Sequence, residues 1–199
     1  MLFVTECSKG RKNMDETDRK IIASLQENGR VSLTELGKKL DLSHVSIRKR
    51  LQKLSKDLLK VSAGLNAEKL GIYLAIVCAE VETPKRLQEL IQIFSKCPRM
   101  IFLARTTGAY NLMTIMVAED AETLNAIIEH CSVRAYKGIR RSEAIIAEAP
   151  TIPKYLPIKM VTDRSADDAP CGINCGKCIR YKQKKCLACP ATKYYRGPL

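Results

Sequence analysis

The chain is short of the residues that usually assemble catalytic machinery. It has no tryptophan, three phenylalanines and two histidines, His44 and His130, which lie far apart in sequence. No serine or cysteine can be placed beside a histidine as a nucleophile–base pair, and no glycine-rich loop is present to cradle a nucleotide phosphate. No apolar run approaches the roughly 18 residues of a membrane helix; the longest candidate is Gly71 to Ala79. Residues 1–13 hold no apolar core long enough for a signal peptide. The chain therefore reads as cytoplasmic, with no membrane partner.

What remains is an ordinary folded composition with an uneven charge. The 199 residues are 46% hydrophobic and carry nine cysteines and a formal charge of +13, enough apolar content for one domain or two or three small ones. Residues 15–60 carry a net +4, residues 61–153 are neutral, and residues 171–199 carry seven basic residues and no acid. Basic ends around a neutral centre suggest a polyanion partner for the ends and another task for the middle.

From Asp15 the pattern is helical, with Ile21, Ile22 and Leu25 recurring behind a capping carboxylate. Asn28-Gly29 stops this helix, and Ser32-Leu33-Thr34-Glu35 forms a capping box for a second one. Asp41-Leu42-Ser43 then turns into a third helix with Ile47, Leu51 and Leu54 inward. Three short helices with a tight turn before a basic third one make a helix-turn-helix over residues 15–60. Ser43, His44, Ser46 and Lys49 sit where base edges are met, and Arg48, Arg50 and Lys53 where phosphates are held. The expected partner is double-stranded DNA; the bland reading is a solvated basic face.

These positions carry a likeness. Met14-Asp-Glu-Thr-Asp-Arg-Lys-Ile-Ile, Leu25-Gln26, Gly29-Arg30, Glu35-Leu36 and Leu42-Ser43, followed by Ile47, Arg50 and Leu54, resemble the leucine-responsive/AsnC (feast/famine) transcription regulators over residues 14–150. Members usually start near Met14, which leaves residues 1–13 as a tail or the product of a misplaced start codon, and usually have glycine just after the third helix, where this chain has Leu58.

Residues 61–70 read as a hinge strand. Beyond them, strand-like Ile72 to Val81, a helix from Pro84 through Lys96, strands Met100 to Thr106 and Tyr110 to Val117, a helix Ala121 to His130 and a strand Ile139 to Ala147 follow the order β-α-β-β-α-β. That is a ferredoxin-like unit over residues 71–149, so the whole chain is α+β. One face of such a sheet needs covering, and a second copy is the simplest cover. The resemblance implies the same: an effector domain that pairs through its sheets, often into an octamer of four dimers. It also implies a small-molecule site at the turn that reads Thr-Gly-x-Tyr-Asp in the family. Here the turn is Thr107-Gly108-Ala109-Tyr110-Asn111, with Thr107, Gly108, Tyr110 and Asn111 as effector candidates. A decarboxylase of tetrapyrrole synthesis shares the two-domain plan and stands as the enzymatic alternative.

Residues 150–170, with four prolines and no periodicity, read as a linker. The last 29 residues contain Cys171, Cys175, Cys178, Cys186 and Cys189 in two Cys-x2-Cys pairs with an extra cysteine in front. So short a segment cannot bury a core of its own, and a metal would supply the folding energy. Zinc, which suits two converging pairs, is the expected metal, with an iron-sulfur cluster, which suits the Cys-x3-Cys-x2-Cys run, as the alternative. Cys78, Cys97 and Cys131 read as small buried hydrophobes.

Overall fold

The computed structural model describes residues 14–199, so the tail expected at residues 1–13 lies outside the described residues. Two compact units divide the chain after Ala63. Among the described residues no helix is long and apolar enough to cross a membrane.

The first unit is three helices, α1 (Glu16–Glu27), α2 (Leu33–Leu40) and α3 (His44–Ser55). Each starts on a side-chain cap. Asp15 accepts from the Asp18 amide at 2.8 Å, and Ser32 and Glu35 exchange reciprocal bonds at 3.1 and 2.8 Å. Ser43 accepts from the Ser46 amide at 3.2 Å. Ile21, Leu36, Ile47 and Leu54 are buried together where the three helices meet. Asp41 adopts a left-handed conformation at the end of α2, and the Leu42 amide returns to the Gly37 carbonyl at 2.9 Å. A β-carbon at Gly37 would stand 2.5 Å from the Leu42 carbonyl oxygen, so this tight turn requires glycine there. After α3 the chain turns through Leu58 with no left-handed residue, because the Leu58 and Leu59 amides both return to the Leu54 carbonyl. The missing family glycine is therefore not needed for this turn.

The second unit is built on a four-stranded antiparallel sheet in the order β3-β4-β2-β5, with β2 at Tyr73–Val81, β3 at Met100–Arg105, β4 at Leu112–Ala118 and β5 at Ile139–Ala147. Helices α4 (Pro84–Phe94) and α5 (Ala121–Ala126) cover one face, and a π-helical turn Ile127–Cys131 extends α5. Alternation along β2 explains the layering: Ala75, Val77, Ala79 and Val81 are buried beneath the helices with Leu90, Phe94 and Leu124. The ferredoxin-like order read from the sequence is the order observed.

On the opposite face the register aligns Ile76 with both Ile115 and Ile145, Cys78 with Met113, and Phe102 with Ile115. These side chains are half-buried or exposed, Phe102 and Ile145 being 44% and 46% exposed. The end of this face carrying Leu74 and Val117 is covered differently. A two-residue strand β1 (Leu65–Asn66) pairs with β6 (Tyr155–Leu156), and Leu156 and Ile158 pack there with Tyr195 and Leu199.

Two sequence expectations change here. Residues 150–170 are not a bare linker, because Leu156 and Ile158 supply apolar anchors that hold the segment to the sheet. Nor is the cysteine segment a separate bead: a short helix α6 (Ile179–Lys182) and the loops around it are packed on the effector unit. Arg99 makes the main polar tie. Its guanidinium meets Glu119 at 2.5 Å with both side chains 4% exposed, donates to the Val117 carbonyl at 3.3 Å and reaches the Ala188 carbonyl at 2.8 Å. Burial works against the charge, and the facing carboxylate more than offsets it, holding Arg99 above the ordinary arginine value. The Tyr195 hydroxyl donates to the other Glu119 oxygen and accepts from the Leu199 amide at 2.7 Å. Replacing Arg99 with Ala leaves Glu119 buried without its partner; the expected loss is about 3–5 kcal/mol. Urea unfolding checks this, and a change under 1 kcal/mol would show the pair to be dispensable.

Candidate functional site

Helix α3 presents the expected DNA-reading residues unequally. Ser43 is the cap, and its hydroxyl lies 3.0 Å from that of Ser46, so both serines are engaged in starting the helix. His44, Arg48, Lys49 and Lys53 are exposed along the outer surface. Val45, absent from the sequence-derived set, is 48% exposed beside His44; an apolar residue in a basic helix gives no signal by composition, and only its exposure marks it. Arg50 stands apart. Its Nη1 lies 2.6 Å from Asp15 and 2.7 Å from Asp18, with Asp18 buried. The guanidinium expected on a phosphate therefore fastens α3 to the first turn of α1. The Asp18 amide and Arg50 together hold the Asp15 carboxyl below the usual range.

The turn at Thr107 to Asn111 links β3 to β4. Thr107 and Gly108 are exposed, Gly108 has φ +114°, and no atom lies within 4 Å of the place a β-carbon would take. Tyr110 lies beneath the Arg141 guanidinium, 5.2 Å from ring centre to Cζ, and its hydroxyl reaches Glu143 at 3.4 Å. Asn111 uses both halves of its amide on one backbone: Oδ1 accepts from the Val81 amide and Nδ2 donates to the Val81 carbonyl, each at 2.8 Å. This pairing falls at the irregularity between Glu80 and Val81 in the β2–β5 ladder. A carboxylate there could accept but not donate, which gives the amide in place of the family's aspartate a structural reason.

The five tail cysteines are brought together around one apolar cavity, and its wall is completed by Cys97 and Cys131 of the effector domain. Cys97 follows α4, and Cys131 ends the π-helical turn after α5. Neither can be singled out from the sequence, where each is an isolated cysteine at a helix end. Among the described residues no three His, Cys, Asp or Glu side chains stand close enough to hold a single ion. Burial pushes the Cys131 thiol well above the ordinary value, with Cys171 and Cys186 nearby adding to it, and Cys189 to about 12. The loop between Cys186 and Cys189 is held open by Ala188, a non-glycine residue at φ +68° whose carbonyl accepts from Arg99.

Comparisons with known proteins match these two units. The model of the AsnC-type helix-turn-helix domain matches residues 14–55, and that of the Lrp/AsnC ligand binding domain matches residues 74–149. The chain belongs to the Lrp/AsnC family of DNA-binding transcriptional regulators. An HTH-type transcriptional regulator of Pyrococcus horikoshii, PH0140, is 27% identical over 146 residues, 72% of this chain and 92% of that protein. The fold resembles that of AsnC from E. coli, with a TM-score of 0.61 at 18% identity over 70% of this chain and 95% of that one. It also resembles a Neisseria meningitidis regulator solved as its L-Met complex, with a TM-score of 0.59 at 22% identity over 68% and 90% of the two chains.

Two outcomes follow. Arg50→Ala should lower the thermal midpoint of the helix-turn-helix unit, and wild-type stability should itself decline as the pH falls through the depressed Asp15 value, below about pH 4. A depressed carboxylate contributes above its unfolded pKa and stops contributing once protonated, so a flat acid limb would contradict the Asp15–Arg50 tie. Asn111→Asp should cost about 1–3 kcal/mol in urea unfolding, because the Val81 carbonyl loses its donor; no change would show the pairing to be incidental.

Proposed function

We propose that the chain reads specific duplex DNA with the exposed amino-terminal surface of α3, as a homodimer formed through the open face of its sheet, and that it is not an enzyme. The observation that carries this reading is the coincidence, on one capped helix, of exposed His44, Val45, Arg48, Lys49 and Lys53 over a packed three-helix core. His44 and Lys49 suit base edges, Val45 suits a thymine methyl group, and Arg48 and Lys53 suit phosphates. Arg50 takes the part of a positioning residue. The names of the relatives are those of regulators, and the decarboxylase alternative finds no support among them.

The sheet face bearing Ile76, Phe102, Met113, Ile115 and Ile145 suits a second copy, since a wide apolar face on a monomer would otherwise stand in water. Ring assembly into four dimers is a further step on the same reading. The Thr107–Tyr110 turn suits a small polar effector, with exposed Thr107, the open approach at Gly108 and the Tyr110–Arg141 stack as contacts. Asn111, fully engaged with Val81, shapes the turn instead of touching the ligand.

Binding of a random duplex and a selected operator, titrated at several salt concentrations, tests the main claim. Lys53→Ala should weaken both about equally and reduce the slope of log affinity against log salt by about one, whereas Val45→Ala should reduce operator preference with the slope unchanged. Absence of duplex binding at low salt would refute the DNA reading.

A further inference from the structure

The cavity of seven thiols is the feature that neither DNA reading nor dimerisation uses. We infer that it houses a polynuclear iron-sulfur cluster held jointly by the effector domain and the carboxy-terminal segment, with Cys97, Cys131 or both among its ligands.

The chemistry of the donor set points to a thiophilic metal, because the wall gathers seven cysteines, with Met116 and His130 as its other soft or borderline donors. The number of thiols points to a cluster. A single tetrahedral zinc takes only four sulfurs, about 2.3 Å from one point, whereas seven line this one apolar cavity. A four-iron cluster instead holds its four cysteine ligands apart across its own width, and its inorganic sulfides favour a dry pocket. Here the cysteines come from two parts of the chain: Cys97 after α4 and Cys131 at the end of the π-helical turn in the effector domain, and five from the carboxy-terminal segment.

Those loops are fixed from several directions. Arg99 holds the Ala188 carbonyl between Cys186 and Cys189 at 2.8 Å, and the Thr123 hydroxyl accepts from the Leu187 amide at 3.1 Å. The Tyr136 hydroxyl donates to the Cys171 carbonyl at 2.8 Å. Arg180 on α6 bonds to Glu129 and to His130 beside Cys131. Each anchor joins an effector-domain group to the tail at a cysteine or within two residues of one. A cluster bridging the same two parts of the chain would fasten the tail to the effector domain, and with it the packing of Tyr195 and Leu199 on the sheet.

The test uses the full chain purified without oxygen, analysed for iron, acid-labile sulfide and zinc, with its visible spectrum. About four iron and four sulfide per chain with broad visible absorption are expected. The double variant Cys97→Ser/Cys131→Ser should lose most of both while its far-ultraviolet circular dichroism stays that of the parent. Zinc in place of iron, no metal, or full iron in the double variant would overturn the proposal, the last by confining the ligands to the tail. Should the double variant misfold, alkylation of the unaltered protein decides: Cys97 and Cys131 should be protected when loaded and should react once iron is chelated. Equal labelling before and after chelation would overturn the shared site.

Discussion

The buried ion pair of Arg99 and Glu119 is the constraint on which the second unit depends. A charge this deep is tolerable only where its hydrogen-bonding capacity is met, and the groups that meet it come from two distant stretches of chain. Val117 and Glu119 lie on or beside β4, while Ala188 and Tyr195 belong to the last fifteen residues. Arg99 is therefore not merely neutralised in the core; it sets where the carboxy-terminal segment sits. The stack of both Arg99 and Arg164 on the Tyr195 ring, at 5.7 and 4.8 Å, strengthens that placement.

Once the segment is placed, the rest of this unit follows. Tyr195 and Leu199 close the end of the sheet face at Leu74 and Val117, leaving Ile76, Phe102, Met113, Ile115 and Ile145 as the part open to a second copy. On the helical side the same docking brings the tail cysteines around one cavity with Cys97 and Cys131. The DNA-reading unit is organised by a smaller version of the same device. Arg50 joins the Asp15 cap and buried Asp18 to α3, so this basic helix is oriented by a side chain of its own that is turned to carboxylates.

Most of the secondary structure could be read from the sequence because it rests on local rules. Asp15, Ser32 and Ser43 cap helices by short-range bonds, and the strands alternate with period two. Partners distant in sequence could not be read. Nothing near Arg50 in the chain announces Asp15 and Asp18, thirty-odd positions earlier. Nothing around the lone Cys97 and Cys131 announces a tail ninety or fewer residues ahead. Proline-rich residues 150–170 looked like a linker because Leu156 and Ile158 have no periodicity to reveal what they cover. Asn111 stands in the sequence as an effector candidate, and the structure gives it a backbone to bridge.

The central claim is that the carboxy-terminal segment is an integral layer of the effector domain and not an appended tail. Hydrogen exchange followed by mass spectrometry on the full chain tests it most directly. Amides of Leu187, Thr192 and Tyr195, each hydrogen-bonded and buried or half-buried, should exchange on the timescale of those in β4, and should lose that protection in Arg99→Ala before β4 does. Exchange of residues 166–199 at the rate of an unstructured chain, with β4 protected, would contradict it.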